Sequence, residues 1–214
     1  MNTVICDVDR TLVAHGTERL FLRYAVKKDM TWLGNLLYAV VAYPLKECGM
    51  MRERGFKPNK WYLRERRVSK VEKLAEDFFE QEMKHYIFSA VLDKLHAFQE
   101  KGYKVLLLSG SIEALIKPLA SYVGADFIAT PVEVREGRYT GRRSGLHPYG
   151  RDKVLLLEDY ARRHNIDLKH SVAFGDHITD ALVFELVGEA YCVNPGPELK
   201  KKAKEKGWVC LLVS

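Results

Sequence analysis

Short apolar runs alternate with longer amphipathic stretches along most of the chain. The runs have the length of buried strands, and the stretches between them repeat apolar residues at helical spacing. This alternation predicts an α/β, Rossmann-like fold in which a parallel sheet is sandwiched by helices. Strands are expected at TVIC, YKVLLLS, DFIAT, SVAFGD, EAYCV and WVCLLV. Helices are expected at residues 88–101, 111–123, 150–164, 178–187 and 196–206, with a β-hairpin turning at Glu136–Gly137.

The segment from residue 13 to 87 interrupts this alternation. It contains long helical patterns and no convincing strand, so we expect a helical cap domain at 13–87 inserted into an α/β core domain formed by 1–12 and 88–214. Within the segment, residues 32–45 read WLGNLLYAVVAYPL, an apolar run too short to span a bilayer. A buried helix is the simplest interpretation, and an apolar substrate pocket or contact with a membrane surface are the others.

The distribution of charge and of cysteines limits the partners and the cellular location that we expect for this protein. The 214 residues carry a net charge of +6, and residues 46–70 alone hold nine Lys or Arg against three Glu. Such a segment fits an anionic substrate, a phospholipid surface or a solvated helix face. No nucleic-acid motif accompanies it, so nucleic acid is not expected as a partner. The chain opens without a signal-peptide pattern and its four cysteines are widely spaced, which predicts a cytoplasmic protein.

Four polar motifs follow predicted strands or begin the next helix. Because the carboxyl ends of parallel strands meet at one edge of a sheet, and ligands bind at that edge, we expect these motifs to converge. The motifs are DVDRTL with Asp7 and Asp9, LLLSGS with Ser109 and Gly110, GRDKV with Lys153, and GDHITD with Asp176 and Asp180.

The carboxylates of these motifs repel one another unless a cation lies between them. Mg²⁺ prefers oxygen ligands and would relieve the repulsion. The four motifs contain one histidine, His177, and no cysteine, which argues against a zinc site. The turn at Ser109 and Gly110 presents backbone N–H groups that suit a phosphate. Ordinary capping of the next helix by Ser111 is the alternative interpretation of that turn.

In order and spacing the four motifs resemble the haloacid dehalogenase-like phosphatases, and the helical insertion resembles subfamily IB, which includes the phosphoserine phosphatases. The resemblance implies a Mg²⁺-dependent hydrolase that acts on a small phosphomonoester through an aspartyl-phosphate, with Asp7 as nucleophile and Asp9 as general acid and base. The implied phosphate-binding residues are Thr11, Ser109, Gly110 and Lys153. The implied metal ligands are Asp7, Asp9 through its backbone carbonyl, Asp176 and Asp180.

Some positions depart from the family pattern. Arg10 stands where a small residue such as Gly often follows the second Asp, and His177 stands where Ser often follows the last motif's first Asp. Phosphoserine phosphatases of this branch carry a Glu nine residues after the nucleophile to hold the substrate amine, and here that residue is Gly16. Glu18 would replace it only with a shifted backbone, which disfavours phosphoserine as substrate. A phospholipid head-group phosphatase, a phosphotransferase and a catalytically idle binding protein are the alternative functions.

Overall fold

A parallel sheet forms the centre of the molecule. The structure, a computed structural model, describes residues 2–29, 31–37 and 59–214. Its strands are β1 (Thr3–Cys6), β2 (Lys104–Ile112), β3 (Asp126–Thr130), β4 (Val132–Arg135), β5 (Arg138–Arg143), β6 (Val172–Gly175), β7 (Glu189–Val193) and β8 (Val209–Leu211). Six of them form a parallel sheet in the order β3-β2-β1-β6-β7-β8, and β4 and β5 form a separate antiparallel hairpin. The predicted α/β fold is therefore confirmed.

Helices cover this sheet. The α-helices that lie wholly within the described residues are α1 (Thr17–Lys28), α2 (Val68–Gln81), α3 (Ser89–Glu100), α4 (Glu113–Val123), α5 (Arg151–His164), α6 (Ala181–Phe184) and α7 (Pro197–Lys206). Short 3-10 helices lie at Trp61–Leu63, Met83–Tyr86, Leu168–His170 and Ile178–Asp180, and residues 31–37 are also helical.

Alternate residues of the central strands pack into two different hydrophobic clusters. Val4 of β1 belongs to one cluster and its neighbour Ile5 to the other. Leu107 and Leu108 of β2 divide in the same way. Because successive side chains of a strand point to opposite faces, both faces of the sheet are covered by apolar groups. This explains why these strands read as continuous apolar runs.

Two predicted elements differ from the structure. β2 continues to Ile112, which pairs with Thr130, so helix α4 begins at Glu113 and not at 111. The helix predicted at 178–187 is a 3-10 turn followed by the four residues of α6. In both cases a tertiary contact at the end of a strand decides the local backbone, and a periodicity pattern does not record such contacts.

The segment between β1 and β2 is helical where it is described, as the sequence predicts, and its division from the core as a separate domain stays a prediction. Of the apolar run at 32–45, Trp32 is buried, while Leu33 and Leu37 are exposed. Residues 38–45 lie outside the described residues. No helix in the described ranges is long and apolar enough to cross a membrane.

Candidate active site

The predicted motifs meet at the carboxyl edge of the sheet. Asp7 directly follows β1, and its backbone N–H donates to the carbonyl of Phe174 on β6 at 3.0 Å. Lys153, in the first turn of α5, donates to Asp7 at 2.6 Å and to Asp180 at 2.7 Å. Lys153 and Asp180 are both about 95% buried, at 5% and 4% exposure. The ammonium group is therefore held between two carboxylates in a site with little water.

A third carboxylate completes what we call the carboxylate cluster, consisting of Asp7, Asp176 and Asp180. Within the described part of the chain these three residues form a candidate metal site, with one oxygen from each lying within 4.8 Å of the others. Burial raises the pKa of Asp7 to about 7, and the Asp180 charge adds to this while Lys153 opposes it. Burial, and next the Asp180 charge, raise the pKa of Asp176 to about 6. The cluster is therefore short of positive charge.

Lys153 stays charged in this setting. Burial by itself lowers the pKa of a lysine, but the charges of Asp180 and Asp7 outweigh burial and raise the Lys153 pKa above its ordinary value. Asp7 and Asp180 thus share the charged ammonium of Lys153, which makes no ion pair with Asp176.

The turn after β1 positions the first motif. The N–H groups of Thr11, Leu12 and Val13 all donate to the carbonyl of Val8, which folds the chain tightly behind Asp7. This turn places Arg10 at a φ of 65°, in the left-handed region that favours glycine. The Thr11 hydroxyl then donates to Asp7 at 3.0 Å. The structure thereby gives a backbone reason for the small residue that this position often has.

Two hydroxyl groups hold the side chain of Asp9. Its Oδ1 accepts from the backbone N–H of Thr17 at 2.6 Å and from the Thr17 hydroxyl at 2.8 Å. Its Oδ2 accepts from the Ser111 hydroxyl at 3.1 Å, and the oxygens of Thr17 and Ser111 are 2.5 Å apart. Because Thr17 is the first residue of α1, Asp9 caps that helix from eight residues upstream. Residues of α1 and β2 therefore orient the carboxylate of Asp9.

The Ser109–Gly110–Ser111 stretch forms the irregular end of β2. The backbone N–H of Ser111 donates to the Ser109 hydroxyl at 3.1 Å, and the carbonyl of Gly110 accepts from the Thr130 hydroxyl at 2.6 Å. Ile112 is the N-cap of α4 and makes no side-chain capping bond, so the alternative interpretation of Ser111 as a helix cap is wrong. The Ser111 hydroxyl contacts Asp9 instead.

The last motif folds as a tight turn around Asp180. The backbone N–H of His177 donates to Asp180 at 3.1 Å, and the His177 ring accepts from the N–H of Thr179 at 3.3 Å. The ring is exposed and its contact with Thr179 caps the 3-10 turn. Gly175 is the first residue of the motif, and a Cβ there would lie 2.7 Å from the Cβ of Asp180. Only glycine leaves Asp180 room to reach Lys153.

A cavity of about 340 Å³ opens onto these groups. Of the predicted site residues, Thr11 and Ser109 are fully buried behind its wall, where they bond to Asp7 and Ser111. The other predicted residues line the cavity: Asp7, Asp9, Gly110, Lys153, Asp176 and Asp180.

Sequence reasoning missed several residues of the cavity and its support. Lys60 forms a buried ion pair with Glu18 on the cavity wall, and its ammonium lies 3.4 Å from the carbonyl of Gly110. His147 also lines the cavity, and its Nδ1 is 2.7 Å from the Thr130 hydroxyl. No local pattern signals these contacts, since their partners are tens of residues away. Thr17 was detectable in principle, because a Thr at the start of a helix pattern is a capping signal.

Comparison with known proteins agrees with this geometry. The model of the haloacid dehalogenase-like hydrolase family matches residues 4–185, and the chain belongs to this family. A probable phosphatase of Mycobacterium tuberculosis is 31% identical over 148 residues, which cover 69% of this chain and 51% of that protein. The chain thus spans about half the length of that relative. Histidinol-phosphatase of Neisseria meningitidis is 28% identical, and the match covers 98% of this chain and 98% of that protein.

Solved structures show the same fold. A protein of unknown function from Bordetella pertussis superposes with a TM-score of 0.81 at 20% identity, covering 98% of this chain and 97% of that one. A phosphoserine phosphatase in its apo form superposes with a TM-score of 0.65 at 22% identity, covering 98% and 92%. The predicted resemblance to the haloacid dehalogenase-like family is confirmed by the family model, and a phosphoserine phosphatase shares the fold.

Proposed function

We propose that this protein is a Mg²⁺-dependent phosphomonoester hydrolase that acts on a small organic phosphate through an aspartyl-phosphate intermediate. The observation that carries the proposal is the contact of Lys153 with both Asp7 and Asp180 at the carboxyl edge of the sheet. It neutralises the nucleophile's carboxylate and places a cation where phosphoryl oxygens would lie. The names of the relatives, a probable phosphatase and a histidinol-phosphatase, support the same activity.

The carboxylate cluster fits a magnesium ion. Its three side chains supply hard oxygen donors within 4.8 Å of one another, and Lys153 supplies the one cation bonded to them among the described side chains. Burial raises the pKa of Asp7 and of Asp176, the Asp180 charge adds to both shifts, and a bound cation would oppose them. Asp7, Asp176, Asp180 and the backbone carbonyl of Asp9 would hold the ion. Bound there, Mg²⁺ would offset the negative charge of the carboxylates and of the phosphoryl group.

The residues divide the reaction into two steps. An oxygen of Asp7 bonds to phosphorus while the bond from phosphorus to the ester oxygen breaks, and Asp9 gives its proton to the departing alcohol. Asp9 then takes a proton from the water that attacks the aspartyl-phosphate, which releases phosphate and restores Asp7. Thr17 and Ser111 keep the Asp9 carboxylate pointed at one place through both steps. Lys153 and Gly110 line the cavity and bind the phosphoryl oxygens. Thr11 and Ser109, buried behind its wall, support this site through their bonds to Asp7 and Ser111.

The segment 13–87, helical where it is described, acts as a cap in this proposal. Its two connections to the sheet lie side by side, since Ala14 donates to Tyr86 at 2.8 Å and Phe88 donates to Leu12 at 2.9 Å. Two adjacent connections permit the segment to move as a unit, admitting the substrate and then excluding water. The substrate is a small phosphorylated molecule, and the cytoplasmic location stays a prediction.

Hydrolysis of p-nitrophenyl phosphate tests the proposal. We expect turnover with Mg²⁺, none with a chelator, and none in Asp7→Asn. The matched variant Asp9→Asn should still release p-nitrophenol, a leaving group that needs little protonation, but should accumulate phosphorylated protein because the second step lacks its base. Full turnover by Asp7→Asn, or in the presence of the chelator, would contradict the proposed nucleophile or the metal.

A further inference from the structure

A second ion pair, between a buried lysine and a partly buried glutamate, lies on the wall of the cavity, apart from the carboxylate cluster. The ammonium of Lys60 contacts the carboxylate of Glu18, and their side chains are 6% and 23% exposed. We propose that this pair makes the leaving-group end of the cavity reject carboxylates, so that the enzyme takes phosphate esters of alcohols that carry no carboxylate. The inference rests on the proposed phosphatase function and names the substrate class.

The position of the pair places it beside the phosphate site. Glu18 lies in the first turn of α1, one residue after Thr17, which bonds to Asp9. The Lys60 ammonium lies 3.4 Å from the carbonyl of Gly110, at the end of β2. Glu18 and Lys60 line the same cavity as Gly110 and Lys153, so the alcohol of a phosphate ester held there would meet them.

The exposure of the two partners decides which charge the alcohol meets. Lys60 is the more deeply buried, and its charge is already matched by Glu18. Glu18 is the more accessible, so it meets an entering group first. The low exposure of the pair places it in a poorly hydrated region. Burial, and next the Glu18 charge, also raise the pKa of the neighbouring Tyr62 phenol well above its ordinary value.

A carboxylate on the alcohol would face repulsion in this region. It would meet the Glu18 carboxylate in front of a lysine whose charge is already matched, and like charges repel strongly where little water screens them. Arg10 and Arg19 also border the cavity, but both are exposed, where water screens their charge. A hydroxyl group or other neutral donor instead finds an acceptor in Glu18, whose carboxylate has lone pairs left after one bond to Lys60.

Paired substrates that differ by one carboxylate test this inference. For phosphoethanolamine against phosphoserine, and glycerol 1-phosphate against 3-phosphoglycerate, kcat/KM of the wild-type protein should favour the carboxylate-free member by about tenfold or more. In Glu18→Gln the lysine is left unmatched, and the preference should fall by about tenfold or reverse. Lys60→Gln should retain or increase the preference.

Two further variants keep the test decisive. The double variant Glu18→Gln/Lys60→Gln leaves no charge unpaired, so it should fold where a single variant fails, and its preference should lie between those of the two single variants. Glu185→Gln breaks a surface pair with Lys202, 2.8 Å apart, and should leave the preference unchanged. An unchanged preference in folded Glu18→Gln, or wild-type protein that favours the carboxylates, would overturn the inference. If the wild-type protein does not hydrolyse p-nitrophenyl phosphate, the proposed function would instead be overturned.

Discussion

Two buried lysines face the same cavity and balance charge in different ways. Lys153 contacts Asp7 and Asp180 with Asp176 close by, so three carboxylates surround one cation. Lys60 contacts the single carboxylate of Glu18. The first group is left with net negative charge and the second is neutral. In our proposals this difference in net charge means that the first group would hold a metal ion and the second would exclude carboxylates.

The number of carboxylates around each lysine explains the difference. A buried charge is costly unless it is paired, so an excess carboxylate must find a cation or take up a proton. Burial, with the Asp180 charge adding to it, raises the pKa of Asp7 and Asp176 and so favours the uptake of a proton. At the Glu18–Lys60 pair neither response is needed. Substitution of each lysine should therefore have a different effect on activity.

Removing the charge of Lys153 should have the largest effect. In Lys153→Met the carboxylates of Asp7 and Asp180 lose their shared cation, and we expect kcat/KM for p-nitrophenyl phosphate to fall by about 10²–10³-fold. Lys60→Met should cost less than about tenfold with this substrate, because Lys60 neutralises no reacting group. Steady-state kinetics of the two variants measures the difference. Equal losses would mean that both lysines act on the phosphate.

Displacing Asp180 without changing any charge should have the next largest effect. In Gly175→Ala the new Cβ would lie 2.7 Å from the Cβ of Asp180, which must then move away from Lys153. We expect activity to fall by about 10²-fold and more Mg²⁺ to be needed for half-maximal rate. Gly196→Ala is the control, because no atom lies within 4 Å of a Cβ there. Similar losses in both variants would remove the steric explanation.

The stability of the metal-free protein should depend on pH through the carboxylate cluster. The folded-state pKa values, about 7 for Asp7 and about 6 for Asp176, lie above the ordinary carboxylate value, so the folded protein binds more protons than the unfolded chain. This contribution to stability is fully present below pH 4 and is lost as the pH rises through 6 to 7. We expect the Tm to fall by about 5 °C between pH 5 and 8 in a chelator.

Two controls identify the source of that pH effect. Asp176→Asn should flatten the dependence, because it removes one of the two raised carboxyl groups. Mg²⁺ at pH 8 should raise the Tm and have little effect at pH 5, where protons compete for the ligands. A Tm that rises steadily from pH 5 to 8 in the chelator would contradict the assignment.

Replacing Arg10 should have the smallest effect. Its φ of 65° is costly for a residue with a side chain, so Arg10→Gly should raise the free energy of unfolding by about 0.5–1 kcal/mol. Glu136→Gly in the β4–β5 hairpin, at a φ of 49°, is the matched change away from the cavity and should stabilise similarly. Urea unfolding measures both. If Arg10→Gly destabilises the protein while Glu136→Gly stabilises it, the arginine side chain makes a contact that contributes more to stability than its backbone strain costs.

Local patterns predicted much of the fold. The six strands of the sheet were found because each is an apolar run bounded by polar residues, and both faces of the sheet accept such a run. The left-handed residues Glu136 and Gly137 turn the predicted hairpin. The patterns failed at the end of β2 and at 178–187, where pairing with β3 and the contacts of Asp180 decide the backbone.

The sequence by itself determined which chemical groups this protein brings to the edge of its sheet, because a motif that follows an apolar strand must lie there. Only the tertiary structure decided which charges meet. Lys153 and Asp7 are 146 residues apart in the chain, Lys60 and Glu18 are 42 apart, and each pair is in direct contact. Buried charges interact strongly only within a few ångströms in a medium of low polarity, and spacing along the chain does not record that distance.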